Sequence, residues 1–208
     1  MEYNPDIIET NRAKLSGEVL SGPEFSHKTF GECFYTVILG IKRNSGYVDR
    51  IKLQISERLL KGIDIYVGSL VCVNGQVRTY NEECNGRSRL SVIVFVREIM
   101  LLEDECDLFY DNEVYLAGHI CKPTVRRKSP LGRELCDIML AVNRMYNKSD
   151  YIPCIAWGRN AAYTGALSVG EELVVSGRIQ SREYRKTDES GNITLNTAYE
   201  VSIVKIED

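Results

Sequence analysis

The chain has 208 residues, 44% of them hydrophobic and 26% charged, with a net charge of −3. That composition suits one large folded domain or two of about 100 residues each, and the charge does not advertise a polyanion binder. No apolar run approaches the roughly 20 residues that span a bilayer, and the acidic start MEYNPDIIET lacks the basic and apolar parts of a signal peptide. A cytoplasmic protein is expected.

Residues 1–10 read as mobile or edge-docked. From Asn11 the chain is written twice. A shift of 101 residues lays Asn11, Leu15 and Gly17 on Asn112, Leu116 and Gly118, and Gly31–Arg58 on Gly132–Arg159 without a gap. Val37, Leu39 and Ile41 fall on Ile138, Leu140 and Val142, so hydrophobic parity is kept as well. A repeat this long means a duplicated domain, not a solenoid. A short helix is expected at SERLLKGI (56–63), and EDECDLFYD (103–111) reads as an acidic linker. The second copy alternates as strands near 113–121, 134–144, 150–157, 172–182 and 196–206, with a helix at 159–167 closed by Gly170. Five strands with a helix between the third and fourth suit a small barrel of OB type. The fold class is therefore all-β, two tandem five-stranded OB barrels. The boundaries are 1–103 and 112–208, with 104–111 between them.

In the third strand of the second copy, DYIPCIAWG (150–158), alternate side chains face opposite ways. Ile152, Cys154 and Ala156 form the buried set, and Tyr151, Pro153, Ile155 and Trp157 the outward one. Trp157 is the only Trp of the chain, and on an outward face it reads as a platform. The seven cysteines form no C-x-x-C pair and read as reduced, mostly buried thiols. Two distant histidines make a zinc site improbable. There is no Walker loop, nucleophile elbow or dinucleotide fingerprint, so neither catalysis nor a cofactor is expected.

The second copy carries N-x-x-x-L-x-G from Asn112, then Pro123, Arg126, Gly132, LAVNR (140–144), DYIPCIAWG and GRIQSREY (177–184). In order and spacing these resemble the bacterial single-stranded-DNA-binding protein family, and NRAKLSG (11–17) and GQVRTY (75–80) extend the likeness more weakly into the first copy. The resemblance implies bases stacked on strands 2 and 3 and on the hairpin between strands 4 and 5, here Tyr146, Tyr151, Trp157 and Tyr184. Phosphates would be tracked by Arg126, Arg127, Lys128 and Arg133 in the loop between strands 1 and 2. Arg144 and Lys148 after strand 2, and Arg182, Arg185 and Lys186 at the last hairpin, would continue that track.

At the outward strand-3 positions the first copy has Arg50, Lys52, Gln54 and Ser56. It reads as an aromatic-poor barrel that adds phosphate contacts through Arg50 and Lys52, with Arg43, Arg78, Arg87 and Arg89 nearby. Two barrels per chain, set beside the family's tetramers of single barrels, imply a homodimer with four. The sequence ends at VSIVKIED, without the acidic tail by which the family recruits replication enzymes. The expected role is sequence-tolerant binding of single-stranded DNA in replication, recombination or repair, without enzyme activity. The alternatives are a primosome- or phage-type accessory protein acting through replication or repair proteins, and a module with no nucleic-acid partner.

Overall fold

The computed structural model describes residues 10–84, 87–103, 111–187, 191 and 193–207; the side chains of Cys84, Arg87 and Lys186 are not among those described. The expectations for residues 1–9 and for the linker segment 104–110 therefore lie outside the described residues, as do those for the Arg87 and Lys186 side chains.

The first repeat folds as β1 (Asn11–Thr29), β2 (Glu32–Lys42), β3 (Val48–Ser56), the single turn α1 (Glu57–Leu60), β4 (Leu70–Cys84) and β5 (Arg87–Leu101). β1 pairs with both β2 and β4, β4 with β5, β2 with β3, and β3 with β5 in parallel, which closes a barrel. The second repeat gives β6 (Asn112–Ile120), β7 (Val125–Lys128), β8 (Glu134–Arg144), β9 (Lys148–Trp157), α2 (Arg159–Thr164), β10 (Glu172–Thr187) and β11 (Ile193–Ile206). Its closure is the same, with β9 and β11 as the parallel pair. The fold is two tandem OB barrels. Both interiors are filled by the residues whose parity the repeat preserves, including Leu39, Ile51 and Leu53 in one barrel and Leu140, Ile152 and Cys154 in the other.

The repeat also marks the barrel seam. A Cβ on Gly17 would collide with the carbonyl of Gly40, and one on Gly118 with the carbonyl of Ala141. These two collisions are related by the 101-residue shift. Glycine recurs there because two strand backbones pass too closely for a side chain.

The barrels are joined edge to edge. β1 and β6 run antiparallel, with Asn11 opposite Leu116, Ala13 opposite Val114 and Leu15 opposite Asn112. The shift carries the first of these pairs onto the last, so the junction has a local two-fold axis. Flanking bonds obey it too: the Ser16 amide donates to the Asp111 carbonyl at 2.9 Å, and the Ala117 amide to the Thr10 carbonyl at 2.8 Å. Such a self-complementary contact is what a symmetric dimer makes, and here one chain makes it with itself.

Two local expectations change. The basic triplet Arg126, Arg127 and Lys128 is not in a loop: it forms β7, paired with β8. A basic run between turn residues carries no strand signal of its own; the neighbouring edge of β8 supplies the hydrogen bonds. α2 ends at Thr164 with Gly165 as its cap, while Gly170, at φ +94°, turns the chain into β10.

Candidate nucleic-acid interface

On β9 the buried side is set by Ile152, Cys154 and Ala156, as the alternation requires. Tyr151 is 51% exposed and Trp157 38%, both on the opposite side. Ile155 shares that side but not the exposure expected of it. It is 4% exposed because it pairs with β8 and β11 at the floor of a cleft. That cleft, about 550 Å3, has Trp157, Arg127, Arg182 and Glu200 of the second barrel on its walls, together with Arg43 and Tyr47 from the β2–β3 turn of the first. Tyr184 is 36% exposed on β10.

Tyr146 does not join these aromatics. It sits at φ +65° in the β8–β9 turn, 87% exposed, and lines a different cleft, one of about 820 Å3 on the first barrel. The clefts are counterparts under the repeat: each barrel's strand 2–3 turn reaches over the other barrel's face. Sequence spacing locates Tyr146 within its own repeat but cannot say which barrel its turn overhangs.

The cations are less free than their exposure suggests. Arg127 makes a two-pronged pair with Asp137, at 2.5 and 3.0 Å, and Arg126 lies 3.6 Å from Glu134. Lys128, Arg133, Arg182, Arg185 and Arg50 are exposed. Lys52 is 3.9 Å from Glu82, and Arg144 is 3.6 Å from Asp150. Arg89 reaches into the second repeat, donating to Asn196 Oδ1 at 3.0 Å and to the Thr197 carbonyl. It is a clasp between barrels rather than an open phosphate contact.

Sequence reasoning missed two buried carboxylates, Asp49 and Asp150, both fully enclosed and related by the repeat. Asp49 accepts from Arg43 Nε and Nη2 at 2.6 Å each, and across the barrel junction from the Ser181 amide at 2.6 Å. Asp150 accepts from the Thr79 amide at 2.8 Å, with Arg78 at 3.5 Å and Arg144 at 3.6 Å. Each carboxylate thus anchors the fourth strand of the other barrel. The available signal was an acid at the same inward position of strand 3 in both copies.

Glu200 stands on the face of the second cleft. Burial pushes its carboxyl above the usual range; Arg182 opposes that shift, Asp137 adds to it, and Arg127 and Arg43 oppose it. Burial likewise drives the Cys154 thiol far upward, so it is inert. Among the described residues no group of three His, Cys, Asp or Glu could hold a metal, and no helix is long and apolar enough to cross a membrane.

Residues 111–207 match the single-strand binding protein family. Single-stranded DNA-binding protein 1 of Clostridium acetobutylicum is 32% identical over 85 residues, covering 77% of that protein and 37% of this chain. Single-stranded DNA-binding protein 2 of the same organism is 36% identical over 84 residues, covering 63% of it and 37% of this chain. The matches to this and two other clostridial relatives span 58–63% of their lengths. In architecture the chain resembles the wild-type single-stranded DNA binding protein from Thermus aquaticus, with a TM-score of 0.73 over 95% of this chain and 91% of that one, at 21% identity. A two-barrel fold, the repeated motifs and a 32% identical relative matched over 77% of its length carry one conclusion: the chain belongs to the single-strand binding protein family.

Proposed function

We propose that this chain binds single-stranded DNA with little regard to sequence, and without catalysis, in replication, recombination or repair in the cytoplasm. The observation that carries the reading is the pair Tyr151 and Trp157, exposed on one face of β9, with Arg127 and Arg182 lining the cleft that Trp157 enters. A flat aromatic accepts any base at ~1–3 kcal/mol per stack, and cations at the rim neutralise the backbone. The names of the clostridial relatives support the same reading. Tyr184, Arg126, Lys128, Arg133 and Arg185 extend the surface along β7, the turn after it and β10, whereas Arg144 lines the counterpart cleft on the first barrel. Titrating labelled oligo-dT at several salt concentrations tests it. Tight binding whose affinity falls with salt by about 0.7 in log–log slope per phosphate is expected. Equal affinity for duplex, or none at low salt, would remove the reading.

Glu200 makes a second expectation. A carboxylate on this face repels phosphate, so Glu200→Gln should raise oligo-dT affinity roughly 2–5-fold, the size of one charge acting over ~10 Å through a partly aqueous medium. The same substitution bears on stability. A raised carboxyl pKa means the folded state holds the proton more tightly than the unfolded one. Its contribution is then fully present below the ordinary carboxylate range and lost as pH rises through the raised value. Glu200→Gln should therefore raise Tm at pH 7 and leave it unchanged in acid. A Tm gain independent of pH would contradict this.

The chain is also proposed to form a homodimer, since two copies would bring four barrels together around a two-fold axis. Light scattering at micromolar concentration should give twice the chain mass of 23.6 kDa. The monomer mass would refute it.

A further inference from the structure

The first barrel is poor in aromatics on β3, yet its face carries rings supplied by other elements. His27, near the end of β1, stacks on Phe34 of β2 with centroids 5.1 Å apart and planes inclined by 12°. Phe34 meets Phe95 of β5 at 6.0 Å. The Arg78 guanidinium lies 5.9 Å from the centre of Phe95. His27 and Phe95 open onto the cleft of about 820 Å3, Tyr80 stands beside them, and Tyr146 enters from the second barrel. That volume falls within the roughly 300–1,000 Å3 typical of ligand clefts.

The charges on this cleft favour an anion. Arg78, Arg144 and Lys148 line it, and Arg97 is close enough to act on Arg78. Against them stand Glu82 on the wall and Asp150 behind it. Rings with a polarised π-face, backed by an excess of cations, select a flat aromatic group carrying a phosphate.

We propose that this interdomain cleft seats a nucleotide of the same single strand, its base against His27, Phe95 and Tyr146 and its phosphate toward Arg144 and Lys148. The proposal rests on the single-strand reading above and extends it: the first barrel grips bases through rings brought by its β1–β2 hairpin and by the opposite barrel. One chain then holds the strand at two counterpart clefts, and neither cleft is complete without a turn from the other repeat.

The test is photo-crosslinking of the intact chain to oligo-dT carrying single 5-iodouracil substitutions, with adducts located by peptide mass spectrometry. Adducts are expected on peptides containing Phe30–Phe34, Phe95 or Tyr146, besides those containing Tyr151 and Trp157. Adducts confined to the Tyr151–Trp157 peptide would overturn the inference while leaving the single-strand reading intact; no adduct anywhere would remove both. A second arm uses His27→Ala with Tyr146→Ala, both exposed and so not needed for folding. Affinity for long oligo-dT should fall about 5–150-fold, the stacking of one base, with the occluded length shortened and Tm unchanged. A Tm loss without change in occluded length would mean the rings only hold the hairpin in place, and the inference would fail.

Discussion

Replacing Trp157 and Tyr151 together by alanine is expected to weaken oligo-dT binding by ~2–6 kcal/mol, two stacked bases at ~1–3 kcal/mol each. Both side chains project from β9 while their neighbours Ile152, Cys154 and Ala156 fill the core, so truncation removes the stacking surface without opening a cavity. The comparison that gives the number meaning is Arg50→Ala with Lys52→Ala on the equivalent strand of the first barrel. Lys52 already faces Glu82 at 3.9 Å, and Arg50 is held through its backbone amide, which donates to Ser181 Oγ at 2.9 Å. Removing this pair should cost less and mainly flatten the salt dependence, by about 0.7 in slope for each phosphate no longer neutralised. At high salt, where charges are screened, the aromatic pair should remain the damaging one. Because Trp157 is the sole Trp, its fluorescence reports the outcome directly: oligo-dT should quench it. If the aromatic double variant bound like the parent chain at high salt, β9 would not be the stacking platform.

What the sequence discloses is what repeats locally. The barrels were legible because an inward residue at every second position survives in both copies, as with Val37, Leu39 and Ile41 over Ile138, Leu140 and Val142. The exposure of Tyr151 and Trp157 followed from that same parity. The exception on β9 is instructive: Ile155 obeys the parity of its own strand yet is buried, because β11 and the turn holding Arg43 and Tyr47 close over it. Strand β7 was hidden for a similar reason, since its four exposed residues owe their conformation to β8. Contacts across the junction were the least legible. Nothing in the spacing says that Arg89 will reach Thr197, that Tyr146 will overhang the first barrel, or that Ser181 will find Asp49 from 132 positions away. The aromatic cluster of the first barrel was missed because its rings lie on three strands that no single period connects.

The buried carboxylate Asp49 should matter most for stability. Both its oxygens are used: Oδ2 accepts from Arg43 Nε, and Oδ1 from Arg43 Nη2 and from the Ser181 amide of the other repeat. Arg43 adds a bond to the Ser181 carbonyl at 3.3 Å. Asp49→Ala would strip a guanidinium of its partner and leave an enclosed amide without an acceptor. Removing one member of a buried pair costs about 3–5 kcal/mol, and the lower part of that range applies because the Arg43 side chain keeps 34% of its surface in solvent. For a chain of this size a loss of about 3–4 kcal/mol lowers Tm by roughly 6–16 °C. Asp49→Asn should not rescue it. An amide nitrogen in place of either oxygen would point a donor at Arg43 or at the Ser181 amide, and like polarity in an enclosed site leaves both groups unsatisfied. The contact spans the two repeats, so the damage should be shared: both barrels should melt earlier in a single transition, since they share a hydrogen-bonded sheet through β1 and β6. Calorimetry on the two variants decides the matter. A melting temperature for Asp49→Ala within about 2 °C of the parent, equivalent to less than about 1 kcal/mol, would mean that the carboxylate is a passenger at the junction rather than its anchor.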